Sequence, residues 1–130
     1  MESGYIYIEE NVFPTLLAIS AEEQAKGLMH EPFPPPVMSF IYTYSSVNKF
    51  WMKNTPSPLD IVFCNDGVVN QVCHGIPFST EAIGSDCPSN LIVELPAGMV
   101  GKCGIKLGNK VGLIKPTESE LRTIIAKKRA

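Results

Sequence analysis

Leu59-Asp60-Ile61-Val62-Phe63-Cys64-Asn65-Asp66-Gly67-Val68-Val69-Asn70-Gln71-Val72-Cys73 is two apolar runs around one turn. Runs rich in Val, Ile and Phe read as strands, and Asn-Asp-Gly between them supplies residues that tolerate positive φ. The stretch predicts a β-hairpin of residues 59–64 and 68–73. Outward from it, 11 prolines and 10 glycines cut the chain into short pieces, which also read as strands. These are residues 5–8, 14–19, 37–44, 49–52, 91–95 and 110–114. Ser20 with Glu23 forms a capping box for a short helix that Gly27 should stop. Residues 97–103 read as one or two helical turns. Pro32-Phe33-Pro34-Pro35-Pro36 lacks the donors for regular structure and is expected to be an exposed, extended loop. Residues 75–88 read as a long irregular loop. Thr117 with Glu120 makes a second capping box, opening a helix over 118–128 whose apolar stripe, Leu121, Ile124 and Ile125, is narrow. The expected fold is mainly β: a small barrel-like antiparallel or mixed sheet with one or two short helices plus a C-terminal helix. Residues 1–115 form the β-rich domain and 116–130 the helical extension.

Composition narrows the function classes. A chain of 130 residues with 45% hydrophobic and 18% charged residues is one ordinary globular domain. A net charge of −2 gives no basic face for phosphates, so nucleic-acid binding is not expected. No run approaches the ~20 apolar residues of a membrane span. Met1-Glu2-Ser3-Gly4 is neither basic nor apolar, so no secretory signal is read and a cytoplasmic setting is expected. Cys64, Cys73, Cys87 and Cys103 form no C-x-x-C pair. They read as reduced thiols, mostly small core residues, and neither a metal site nor a cofactor is expected.

The candidate functional residues start at Phe50-Trp51-Met52-Lys53-Asn54-Thr55, followed by Pro58-Leu59-Asp60. Strand alternation sends Phe50 and Met52 one way and Trp51 and Lys53 the other. Phe50 and Met52 read as core. Trp51 and Lys53 either make a cation–π ligand surface, or Trp51 covers a second core with Lys53 lying over it. Asp60 opens the apolar strand and can pair with Lys53, cap the turn before it, or act as acid or base; a structural role is the commoner one. His74 lies beside the long loop. It cannot serve its neighbour Cys73 across a strand, while Cys87 stays open to it. Asn54, His74 and Thr80 complete the candidate set.

The chain resembles the domain of unknown function 192 family. The match is carried by Lys26-Gly27-Leu28-Met29, by the Phe50 to Thr55 block with Pro58-Leu59-Asp60-Ile61 and Phe63, and by Cys87-Pro88-Ser89, Val93-Glu94-Leu95, Ala97-Gly98 and Gly104-Ile105-Lys106-Leu107-Gly108. It spans residues 16–114. The resemblance implies a compact barrel-like β domain with no established activity, in a family found in bacteria and archaea, often with a secretion signal, and among phage-encoded proteins. The chain departs from the family pattern at Val37-Met38-Ser39-Phe40 and at Gly108-Asn109, where a carboxylate is usual.

Three functions compete. The favoured one is a non-catalytic binding or accessory module using a Trp51, Lys53, Asn54 and Asp60 surface for a small ligand or a protein, with the C-terminal helix as a further protein contact. In the second, a structural or interaction protein such as a phage assembly component, in a virion, uses the motif as a folding element. The third is a hydrolase-like enzyme with Asp60 as acid or base and Lys53 holding an anion.

Overall fold

The predicted hairpin anchors the sheet in a computed structural model that describes residues 1–114. Strands β4 (Leu59–Asn65) and β5 (Val68–Gly75) pair antiparallel, with Asp66 and Gly67 at φ 48 and 81, the left-handed turn their sequence allows. The other strands are β1 (Glu2–Ile8), β2 (Asn11–Ala18), β3 (Met38–Val47), β6 (Pro88–Pro96) and β7 (Val111–Ile114). They form one seven-stranded sheet in the order β5-β4-β6-β3-β2-β1-β7. All its pairs are antiparallel except β2 with β3. That parallel pair is reached through helix α1 (Ala21–Lys26) and the proline loop. Pro14 is tolerated because the β2–β3 ladder begins only at Leu16.

The sheet curls into a half-barrel. Its two ends meet: the Val69 N–H donates to the Asn109 carbonyl (2.9 Å) and the Val111 N–H to the Gly67 carbonyl (3.0 Å). Inside this curl, Ile6 and Ile8 of β1 pack with Val62 and Cys64 of β4, which are distant in strand order. Helix α2 (Met99–Cys103) covers that core through Met99, Val100 and Cys103. The other face carries a second core of Leu28, Phe40, Met52, Leu59, Ile61 and Phe63. β4 and β6 are therefore buried on both sides, which is why both are nearly continuous apolar runs.

The α1 capping box forms in full, Ser20 Oγ accepting from the Glu23 N–H (3.1 Å) and Glu23 Oε1 from the Ser20 N–H (3.0 Å). Three expectations change. Residues 49–52 are not a strand: β3 continues to Val47, and the chain then leaves the sheet. Phe50 bridges Ile83, and the Met52 N–H donates to the Ser79 carbonyl, so the long loop satisfies this backbone instead. The proline loop is not wholly exposed, because Pro35 is buried. The cysteines are all free, as expected, but only Cys64 is fully buried; Cys87 is exposed and the other two are half-buried. Burial pushes the Cys64 thiol up to about 12. The helix expected over 118–128 lies outside the described residues.

Gly75 marks how tightly the Trp51 segment seats on the hairpin. A Cβ there would meet Met52 Sδ and lie 2.9 Å from Met52 Cε, and Met52 is fully buried. Gly75→Ala is expected to force Met52 from its site and cost about 1–3 kcal/mol in chemical denaturation. Unchanged stability would show that the contact relaxes freely.

Candidate functional site

One cavity opens on the second-core face, with a volume of about 200 Å³. Its first wall is the end of α1 and the turn beyond it, Gln24 to Met29. Gln24 fixes this wall, its amide donating to the Ala18 carbonyl (3.1 Å) and the Ile41 carbonyl (2.9 Å). Gly27, at φ 49, lets the turn close on Phe40; a Cβ there would lie 3.4 Å from the Phe40 ring. The second wall is Phe40 and Tyr42 of β3, and the third is Phe50, Trp51 and Thr55. Phe50 stands edge-on to Phe40 (4.9 Å between centroids) and to Phe63 (5.9 Å), which fixes the segment that carries Trp51.

Glu94 lies at the sheet floor of this cavity. On β6 it shares a face with Ile92, and it is 4% exposed. Among the described residues, no hydrogen bond or ion pair engages its carboxyl. Burial pushes that carboxyl up to about 8. Burial, and secondarily the Glu94 charge, raise the neighbouring Tyr42 phenol. Lys26 and Lys49 line the mouth and are exposed. Lys49 reaches Asp86 at 3.5 Å, a surface pair worth little. Sequence reasoning did not select Glu94. The available signal was a lone carboxyl in Leu91-Ile92-Val93-Glu94-Leu95, where both faces of the strand needed apolar residues.

The predicted residues fall into two groups. Trp51 is at the rim of the cavity and 48% exposed. The Lys53 ammonium sits 5.1 Å from its ring centroid, on the solvent side. Asn54, at φ 56, is exposed in the adjoining turn. Asp60 is elsewhere: it is 1% exposed, on the β4 face that carries Val62 and Cys64. Its Oδ1 meets His74 Nδ1 at 2.8 Å, and its Oδ2 accepts from the Gly98 N–H (3.0 Å) and the Val100 N–H (2.9 Å). Gly98 is the N-cap of α2 and has no side chain to cap with, so Asp60 does so from a neighbouring strand. The His74 ring is exposed, turned to Asp60 and not to Cys87. Thr80 is exposed on the loop and belongs to neither group. Trp51, Lys53 and Asp60 therefore do not share one surface.

Among the described residues, no group of three or more His, Cys, Asp and Glu could hold a metal ion, and no helix is long and apolar enough to cross a membrane. None of the curated proteins compared with the chain matches it. Two solved structures are similar. A protein of unknown function from Novosphingobium aromaticivorans DSM 12444 is 30% identical with a TM-score of 0.80, over 85% of this chain and 84% of that one. A protein from Sinorhizobium meliloti 1021, provisionally named a transcription regulator, is 26% identical with a TM-score of 0.80, over 86% of this chain and 94% of that one. The family model DUF192, described as uncharacterized ACR, matches residues 7–113. The three stretches around the cavity, Lys26 to Met29, Phe50 to Thr55 and Val93 to Leu95, lie within that match and meet only in the folded chain, which belongs to the domain of unknown function 192 family.

Proposed function

We propose that the domain is a non-catalytic binding module whose ligand occupies the cavity between α1, β3 and the Phe50 to Thr55 segment. The observation that carries this reading is Glu94. A nine-tenths buried carboxyl with no partner among the described residues lowers stability, so it belongs where a ligand completes it. The rim tryptophan adds a flat apolar surface at the entrance. The hydrolase scheme has less support. Asp60 is closed to solvent and committed to two amides and His74, and Lys53 lies with Trp51 on the other face. The regulator name of the Sinorhizobium structure is not carried over, because a net charge of −2 offers no excess of cations for a phosphate backbone.

A second reading, a protein-contact surface, rests on Ile76 and Phe78, which are 71% and 63% exposed on the loop that hydrogen-bonds to the Trp51 segment. The two readings part on what Trp51 reports. It is the only tryptophan in the chain, so its fluorescence reads occupancy of the cavity mouth directly. A fragment screen followed by Trp51 emission is expected to find small ligands in the parent chain. Trp51→Ala, read by calorimetry, is expected to keep a cooperative melting transition and lose about tenfold or more in affinity for them, some 1.4 kcal/mol. A Trp51→Ala chain that binds the same fragments equally well would exclude the cavity as the site.

A further inference from the structure

We infer that the Glu94 cavity takes a small organic cation, a primary ammonium or guanidinium on a short chain, with its charged head on the Glu94 carboxyl and its stem against the aromatic walls. This deepens the binding reading above and rests on it. Three features select the class. First, Glu94 is an anion-forming group nine-tenths buried, without a partner among the described residues, and aimed into a cavity. A neutral amide would gain there only one ordinary hydrogen bond. A cation gains a charge pair shielded from bulk water, and such a pair is stronger than one in water. Second, Tyr42, Phe50 and Trp51 give the cavity aromatic walls, which attract a cation further. Third, the volume of about 200 Å³ is below the roughly 300–1,000 Å³ of sites for drug-sized molecules, so the group that enters is small.

Among the described residues, the chain's own cations do not fill the role. Lys49 is turned toward Asp86, and Lys26 is exposed at the mouth. Their charges disfavour a second positive group at the far end of the ligand. A monocation with a neutral or anionic tail fits best.

Binding moves a proton. The Glu94 carboxyl is held up to about 8 by burial, so at neutral pH it is protonated in the empty cavity. Pairing with an ammonium requires the carboxylate, and one proton leaves to buffer as the pair forms. The groups that face Glu94 are Tyr42 from β3 and, at the mouth, Lys26 and Lys49. The raised Tyr42 phenol stays protonated through this range. Affinity for a cation is therefore expected to rise about tenfold from pH 6 to pH 7, the slope of a single proton released.

The probes are n-butylammonium, n-butylguanidinium, butyramide and butyrate, titrated into the full chain by calorimetry in two buffers of different ionisation enthalpy, with Trp51 emission as a second readout. The two cations are expected to bind at least tenfold more tightly than butyramide and butyrate and to release close to one proton. Glu94→Gln is expected to lose the cation preference and the proton release together while keeping weak binding of butyramide. Should Glu94→Gln fail to fold, the pH slope of butylammonium affinity in the unaltered chain carries the same test. Equal binding of cation and amide, a preference for butyrate, a flat pH profile, or a Glu94→Gln chain that keeps the cation preference would overturn the inference. If the cations do not bind while other fragments of the Trp51 screen do, the cation class fails and the cavity reading stands; if nothing binds, both fail.

Discussion

Asp60→Ala is expected to lower the stability of the chain by about 3 kcal/mol in urea denaturation, among the largest losses any single truncation here should give. The side chain is fully buried and holds three groups: the Gly98 and Val100 amides and the His74 ring. Truncation orphans both amides at the start of α2 and leaves a hole at the edge of the inner core. Gly98 cannot compensate, having no side chain. Two companion variants separate the contributions. Asp60→Asn retains an oxygen for the two amides and an NH₂ toward His74, so it should lose about 1 kcal/mol. His74→Ala removes a largely exposed ring and should lose less than about 1 kcal/mol. The order Ala, then Asn, then the His74 variant is the signature of a cap supplied from a neighbouring strand. If Asp60→Ala matches the parent chain in stability, Asp60 is not a folding residue, and an acid–base role for it reopens.

The Pro58-Leu59-Asp60 block illustrates what a sequence can and cannot convey. That Asp60 sits early in an apolar strand was legible from Leu59 to Phe63, while the second core on its own face, with Val62 and Cys64, was not. The hairpin turn, the α1 capping box and the stop at Gly27 were legible for the same reason: each depends on residues within a few positions of one another. The partners of Asp60 were not legible. Gly98 and Val100 lie 38 and 40 residues away, and only the curl of the sheet brings α2 to the end of β4. The Trp51 run divides along the same line. Alternation separated Phe50 and Met52, which do face the second core, from Trp51 and Lys53, but it left open whether Trp51 covers a second core, and the structure places Trp51 half-exposed at a rim. Local pattern could not show that Trp51 rims a cavity, because the other walls come from residues 24–29, β3 and β6. Half of the block is therefore a folding element, Met52, Thr55, Ser57 and Asp60 being buried. The other half, Trp51, Lys53 and Asn54, is open to solvent.

Glu94 gives the second large effect, and its sign is opposite to that of an ordinary carboxylate. A salt-bridged acid stabilises the fold as pH rises, because its pKa is lowered in the folded chain. For Glu94 the folded value is about 8 against 4.5 without the fold, and the cause is burial. Between those values the folded chain holds a proton at Glu94 that the unfolded chain has released. Raising the pH through this window therefore favours unfolding. The loss begins near pH 4.5, grows by about 1.4 kcal/mol per pH unit, and levels off above pH 8 at roughly 5 kcal/mol. The charged groups around it do not reverse this: Tyr42 remains a neutral phenol, and Lys26 and Lys49 are solvated at the mouth. Glu94→Gln, which keeps the shape and removes the titration, should cancel the slope. The difference in unfolding free energy between it and the parent should be small at pH 5 and increase steadily to pH 8 in favour of the variant. A cationic ligand should act the same way on the parent chain, raising its melting temperature more at pH 8 than at pH 6, because it supplies the counter-charge that the cavity lacks. Parallel stability profiles for the parent and Glu94→Gln from pH 5 to pH 8 would mean that the Glu94 carboxyl is already solvated or paired. In that event the cavity floor carries no unmet charge for a ligand to answer.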